Sequence, residues 1–283
     1  MAKNILVSPI LKWVGGKRQL LHEIMPYINK NCSVYVEPFV GGGAVLFELQ
    51  PKKAIINDYN EELINVYRVV RDFPEELISS LMVHDEKNSE EYFYIVRAWD
   101  RTPDYVELSD VERAARVIYL NKTCYNGLYR VNSAGQFNSP YGKYKNPNIV
   151  NAPTIRAMSK YFSDNQIEIS HGDYRDVLKG LKKGSFVYLD PPYMPISSSS
   201  YFTGYTEGGF DYEQQVALKE ECDKLRKKGI SFLQSNSDCP EIRELYKEYE
   251  IITVQAKRSI NSNASKRGEI NEVLIYYGGI KKQ

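Results

Sequence analysis

The chain has 283 residues, 42% of them hydrophobic, a net charge of +1 and four cysteines, enough apolar content for one large domain, or a domain carrying an insertion, to build its own core. Cys32, Cys124, Cys222 and Cys239 form no CxxC pair and have no histidine at ligand spacing, so neither a zinc site nor a disulfide framework is expected and the thiols read as free in a reducing cytosol. No apolar run reaches the length of a membrane span or a signal sequence, which makes a soluble, unexported, cytoplasmic protein the expectation.

In chain order, residues 34–39 are a short β-rich run that breaks into Val40-Gly41-Gly42-Gly43, and residues 44–49 have helical composition. A strand, a glycine turn and a helix are predicted in succession. Residues 53–58 read as a second strand, and Asn60 as the cap of a helix running through Arg71, with Glu61 and Glu62 at its N-terminal end. Residues 72–160 read as mainly helical, with loop-rich interruptions at 100–105 and 121–147. A β/α alternation then returns, with strands at 167–170, 186–190, 230–234, 251–256 and 273–277 and a long helix over 212–228. The pattern predicts an α/β frame over 1–60 and 165–283, interrupted by a mainly helical insertion over 61–164. The run Ser197–Ser200 is the one low-complexity feature.

Charge is distributed unevenly. Acidic residues dominate from Glu61 to Glu112, whereas 113–163 contains no Asp or Glu and carries Arg113, Arg116, Lys122, Arg130, Lys143, Lys145, Arg156 and Lys160 among many Tyr, Phe, Asn and Gly. A basic stretch interleaved with aromatics is the expected footprint of phosphate contact with base stacking. A solvated basic face is the alternative, although it leaves the aromatics and asparagines unexplained.

Phe186-Val187-Tyr188-Leu189-Asp190-Pro191-Pro192-Tyr193 places a carboxylate at the carboxyl end of a buried strand, where ligands of open α/β sheets bind. The two prolines have no N–H and a fixed φ, so nearby carbonyls can project into a pocket instead of a ladder. An exocyclic amino group on a base is a poor nucleophile because its lone pair is delocalised into the ring. Hydrogen bonds from that group to Asp190 and a main-chain carbonyl such as that of Pro191 would favour a pyramidal nitrogen and spread its developing positive charge. Tyr193 offers a face for an extruded base. A plain proline turn capped by Asp190 is the alternative reading of the tetrapeptide alone.

Gly41-Gly42-Gly43 would let backbone approach a ligand at the first strand-to-helix turn. Position 46 is Leu, so the dinucleotide fingerprint GxGxxG is incomplete and a nicotinamide dehydrogenase is disfavoured. Asp58, one β/α unit later, stands where an acid accepts from ribose hydroxyls, or where an ordinary turn residue closes a strand. Lys12-Trp13-Val14-Gly15-Gly16-Lys17 could meet a nucleotide-like ligand by stacking on Trp13 and by pairing its carboxylate with Lys17. In isolation the hexapeptide reads as a loop, and it is not a P-loop.

Taken together, these residues resemble the Dam-type, D12-class DNA N6-adenine methyltransferases from about Leu11 to Tyr277. Lys12-Trp13-x-Gly-Gly-Lys17, Glu37-Pro38-Phe39-x-Gly41-Gly42-Gly43, Ile56-Asn57-Asp58-x-Asn60 and Asp190–Tyr193 occur in that family's order. Between them, Tyr125-Asn126-Gly127-Leu128-Tyr129-Arg130 and Phe137-Asn138-x-Pro140-Tyr141-Gly142-x-Tyr144-Lys145 are similar to its target-recognition loop. The resemblance implies a Rossmann-like class I methyltransferase domain with an inserted, mainly helical target-recognition domain. It implies that S-adenosyl-L-methionine is the cofactor, bound by Trp13, Lys17, Asp58 and Asp190, with Phe39, Gly41 and Gly43 lining its cleft and Asp173 reaching its adenine. It implies double-stranded DNA as the partner, with no metal, no membrane and no obligate protein partner. In members that read GATC, the residue matching Arg130 contacts a guanine, that matching Tyr125 wedges beside the flipped adenine, and that matching Asn126 touches the orphaned base. Leu128 and Pro140 of the same loop are expected at the DNA, and a basic segment from Arg258 to Gly268 is expected at backbone phosphate. Methylation of cytosine N4 or of RNA, a small-molecule methyltransferase and an inactive DNA-binding homologue are the rival readings.

Overall fold

The computed structural model describes residues 3–195, 210–257 and 269–278; Ser197–Ser200 and Arg258–Gly268 lie outside the described residues. The expected α/β frame is present as a mixed seven-stranded sheet in the order β3-β2-β1-β4-β5-β7-β6, with helices. The strands are β1 (Tyr35–Glu37), β2 (Lys53–Asp58), β3 (Gln166–His171), β4 (Phe186–Leu189), β5 (Ser231–Ser237), β6 (Glu250–Lys257) and β7 (Glu269–Tyr277). The chain divides into two compact units, one of residues 17–40, 53–57 and 173–283, the other of residues 1–16, 41–52 and 58–172.

The first unit is built on parallel pairs. β1 lies between β2 and β4, β4 pairs with β5, and β7 runs antiparallel to both β5 and β6. Every residue of β1 and β4 is buried, the continuous rather than alternating pattern of strands covered on both faces. Strand order reverses at β1, so the carboxyl ends of β1 and β4 flank a topological switch point, the usual ligand crevice of an open α/β sheet. Helix α9 (Tyr212–Lys227) buries Leu218, Cys222 and Leu225, spaced four and three residues apart, in one core with Val36, Val187 and Phe232. The short helices α1 (Leu21–Ile24), α8 (Tyr174–Lys179) and α10 (Pro240–Leu245) also belong here.

The second unit holds α2 (Ala44–Leu49), α3 (Glu61–Asp72), α4 (Pro74–Glu86), α5 (Glu90–Ala98), α6 (Asp110–Thr123), α7 (Ala152–Asp164) and strand β3. Asn60 caps α3 as expected, its Oδ1 accepting from the Leu63 amide at 2.9 Å, an interaction of about 1 kcal/mol. Helix α6 starts in a Ser109/Glu112 capping box and buries nine of its residues, Arg116 among them. Residues 100–105, expected as loop, instead form 3₁₀ turns over Trp99–Arg101 and Pro103–Glu107, the second started by a proline whose missing N–H costs nothing at that position. The stretch after α6 is irregular, with a 3₁₀ turn at Tyr125–Gly127 and isolated bridges joining Cys124 to Tyr141 and Val131 to Phe137. Among the described residues no helix is long and apolar enough to cross a membrane.

Candidate active site

In the sheet unit, Asp190 directly follows buried β4. Lys17 Nζ lies 2.8 Å from its Oδ1, with side chains only 6% and 19% exposed. Burial pushes the Asp190 carboxyl up to about 6; Lys17 opposes that shift, and the Glu272 carboxylate adds to it. Tyr193 donates its hydroxyl to Glu272 Oε2 at 2.7 Å, and the Lys17 ammonium sits 4.6 Å from the centre of its ring. The backbone after Asp190 is pinned by buried amides. Gln215 Nε2 donates to the Pro192 carbonyl at 3.0 Å, Asn236 Nδ2 donates to Gln215 Oε1 at 2.9 Å, and the Met194 amide donates to Asn236 Oδ1 at 3.2 Å. Among the described residues no donor reaches the Pro191 carbonyl. Among the described residues, the Asp190 carboxylate and the neighbouring Pro191 carbonyl thus both keep acceptor capacity.

At the end of β1, Phe39 packs against Tyr174, ring centres 5.0 Å apart, and meets Phe210 edge-on at 6.1 Å. Asp173 caps α8, accepting from the Arg175 amide at 2.8 Å, and pairs with the Arg175 guanidinium, which holds its carboxyl below the usual range.

In the helical unit, Trp13, Gly41, Gly43 and Asp58 come together. The Gly41 amide donates to Asp58 Oδ2 at 2.9 Å, the Asn60 amide to Asp58 Oδ1 at 3.0 Å, and the Tyr67 hydroxyl to the Gly41 carbonyl at 2.7 Å. Burial raises the Asp58 carboxyl while these backbone donors lower it. The glycines are required. Gly41 has φ +48° and a side chain there would come 3.1 Å from Trp13 Cδ1, whereas at Gly43, with φ +69°, a Cβ would lie 2.7 Å from Phe47 Cε2. Tyr129 stacks on Trp13 with ring centres 4.9 Å apart and 19° between planes.

The residues expected at the DNA lie in the irregular stretch after α6, Tyr125 and Arg130 exposed and Asn126 and Leu128 partly buried. Tyr125 is 58% exposed, Asn126 adopts φ +59°, and the Tyr125 amide donates to the Pro140 carbonyl at 2.8 Å. The Leu128 carbonyl accepts from Ser139 Oγ, and exposed Arg130 donates from Nε to Asn138 Oδ1 at 3.1 Å. The basic stretch is less free than its composition suggested. Arg116 is 1% exposed, paired with Asp100 at 2.8 Å and donating to the Val96 carbonyl, so it faces no phosphate. Arg113 pairs with Glu62 at 2.6 Å, and Arg156 with Glu75 at 2.7 Å. Acidic partners absent within 113–163 are supplied by 61–112 through tertiary packing, which local composition cannot reveal.

Sequence reasoning missed Glu272, Gln215 and Asn236 at the Asp190 loop, and Asn121 and Tyr129 beside Trp13. Tyr129 carried a signal, since it lies inside a quoted motif; the other four are motif-free and reach their partners only through the fold. Among the described residues no cluster of His, Cys, Asp or Glu is arranged to hold a metal.

Residues 13–260 match the model of the D12 class N6 adenine-specific DNA methyltransferases. The chain is 47% identical to the Type II methyltransferase M1.LlaDCHI of Lactococcus lactis subsp. cremoris over 97% of each protein. It is 42% identical to the Type II methyltransferase M.MjaIII of Methanocaldococcus jannaschii, over 95% of this chain and 98% of that protein. It is 34% identical to the DNA adenine methylase of Escherichia coli K12, over 98% and 96% respectively.

Proposed function

The chain belongs to the D12 class N6 adenine-specific DNA methyltransferases, and on that premise we propose that it transfers the methyl group of S-adenosyl-L-methionine to N6 of an adenine flipped out of double-stranded DNA, within GATC. The observation that carries the reading is the buried Asp190 carboxylate beside a Pro191 carbonyl that no described donor reaches. The two acceptors take the two amino hydrogens, N6 becomes pyramidal, and charge that develops on it is stabilised without reorganisation. Tyr193 gives the extruded ring a stacking face.

The residues fit the cofactor. Gly41 and Gly43 give a left-handed turn free of side chains, where a Cβ would meet Trp13 or Phe47, partly buried Asp58 keeps acceptor capacity for ribose hydroxyls beyond the Gly41 and Asn60 amides, Trp13 offers an aromatic surface, and Lys17 a cation for a carboxylate. Phe39 serves the cofactor in this reading. Asp173 serves the cofactor's adenine in this reading, with Arg175 holding its orientation. S-adenosyl-L-methionine supplies an electrophilic methyl on a sulfonium. When bound, it would make that methyl available to N6, which Asp190 and the Pro191 carbonyl would hold through its two hydrogens.

Residues 61–164 act as the DNA-recognition domain. Arg130 forks onto a guanine in the major groove, Tyr125 wedges into the gap left by the adenine, Asn126 meets the unpaired base, and Leu128 and Pro140 pack against the DNA. The enzyme works in the cytoplasm without an obligate protein partner. Incubating it with S-adenosyl-L-methionine and plasmid, then digesting with nucleases of opposite sensitivity to methylated GATC, tests the target. Protection from one and sensitisation to the other supports GATC. Methylated plasmid that stays cleavable assigns a different short target, and unmethylated plasmid an inactive homologue.

A further inference from the structure

Tyr129 and Asn121 bind the recognition loop to the segment that carries Trp13. Tyr129 is 6% exposed, lies flat on Trp13 at 4.9 Å and meets Phe137 edge-on at 5.4 Å. Asn121 is 1% exposed; its Oδ1 accepts from the Lys12 amide at 2.9 Å, and its Nδ2 donates to the carbonyls of Lys12 at 2.8 Å and Gly127 at 3.0 Å. The close fit excludes a side chain at Gly127, whose φ is +65° and whose Cβ would come 2.8 Å from Lys12 Cδ. One buried amide thus clamps both partners of a backbone junction, and one ring stack seals it.

We propose that Tyr129 and Asn121 are positioning residues that make the recognition loop and the Lys12-Trp13 segment a single body, so that cofactor at Trp13 and target DNA at the loop each order the surface the other needs. The inference rests on the functional reading of Trp13 and of the loop. By linkage, DNA must then tighten cofactor binding by the same factor as cofactor tightens DNA binding, and loss of the clamp or the stack removes that factor. A purely structural contribution to the core would lower stability or both affinities without changing their ratio.

The test uses the full chain, S-adenosylhomocysteine as the unreactive cofactor probe, and a short duplex with one GATC. Calorimetry gives the dissociation constant of the probe with and without saturating duplex. The expected ratio for the wild type is about tenfold or more, with Y129F keeping it and Y129A and N121D bringing it within about twofold of unity. Cooperative thermal melting establishes that each variant folds, and Y129L replaces Y129A if the smaller side chain fails to fold. Folded Y129A, Y129L or N121D with the wild-type ratio overturns the proposal, as does loss of the ratio in Y129F or a wild-type ratio of one. A wild type that binds no probe and methylates no DNA overturns the functional reading along with it, and so is distinguishable from failure of the coupling alone.

Discussion

Lys17 and Asp190 form a nearly buried ion pair, 2.8 Å between Nζ and Oδ1, in which burial raises the carboxyl, the cation opposes the rise, and the net value is about 6. Ionised, Asp190 sets a full negative charge against the positive charge that develops on an amino nitrogen; protonated, it can still accept a hydrogen bond but loses that charge. The single-turnover rate should therefore be level above about pH 7, half-maximal near pH 6 and fall about tenfold per pH unit well below it. Removing the cation in Lys17→Met takes away the opposing influence, so the acid limb moves to higher pH, by about one unit or more. A limb that stays in place at saturating cofactor would show that Lys17 does not govern Asp190.

Gly43 has φ +69° and no room for a methyl group beside Phe47 and the Tyr67 hydroxyl. Gly43→Ala should destabilise the fold by roughly 1–2 kcal/mol from the left-handed backbone alone, and it should weaken cofactor binding because the loop must shift. Urea unfolding and cofactor titration check the two effects separately.

Arg130 and Arg116 lie in the same acid-free stretch and should fail in different ways. Arg130→Ala should lose about 1–3 kcal/mol of discrimination at one guanine with stability unchanged. Arg116→Ala leaves Asp100 with Arg101 and the Phe137 amide but removes the buried guanidinium's bonds to Asp100 and to two carbonyls, and should lower stability by about 1–3 kcal/mol while leaving the methylated sequence the same. Methylation kinetics on single-base variants of the target, alongside unfolding curves, separate them.

His84 is 3% exposed, stacks on Tyr119 at 4.9 Å and shares a 2.9 Å hydrogen bond with the Tyr92 hydroxyl. Burial, with help from Lys87, lowers it to about 4. Its folded value is below its unfolded one, so its contribution is complete above about pH 6.5 and is lost as pH falls toward 4, amounting to about 3 kcal/mol. Because Asp190 titrates with the opposite sign, the quantity to measure is the stability difference between wild type and His84→Phe. It should shrink between pH 7 and pH 4.5, and a constant difference would rule out the linkage.

The frame was legible because its signals are local. Residues 53–58 carry an Ala-Ile-Ile core and end where β2 ends, Asn60 announces its helix by a side chain that can cap, and Phe186–Leu189 is apolar enough for a strand buried on both faces. A candidate site could be read where chemistry is written in consecutive residues, as at Asp190–Tyr193. It was illegible where groups meet only through the fold. Glu272 reaches Tyr193 across 79 positions and Asn121 reaches Lys12 across 109, and neither lies in a motif. Charge misled for the same reason, since Arg116 reads as a free cation until Asp100 is folded against it.

The account depends on Asp190 acting on an adenine amino group, and methyl transfer from labelled S-adenosyl-L-methionine to a GATC duplex, with nucleoside analysis of the product, measures that directly. Label should appear in N6-methyladenine with the wild type and be absent with Asp190→Ala that melts like the wild type. Label in another nucleoside, or wild-type transfer by the Asp190→Ala protein, would contradict it.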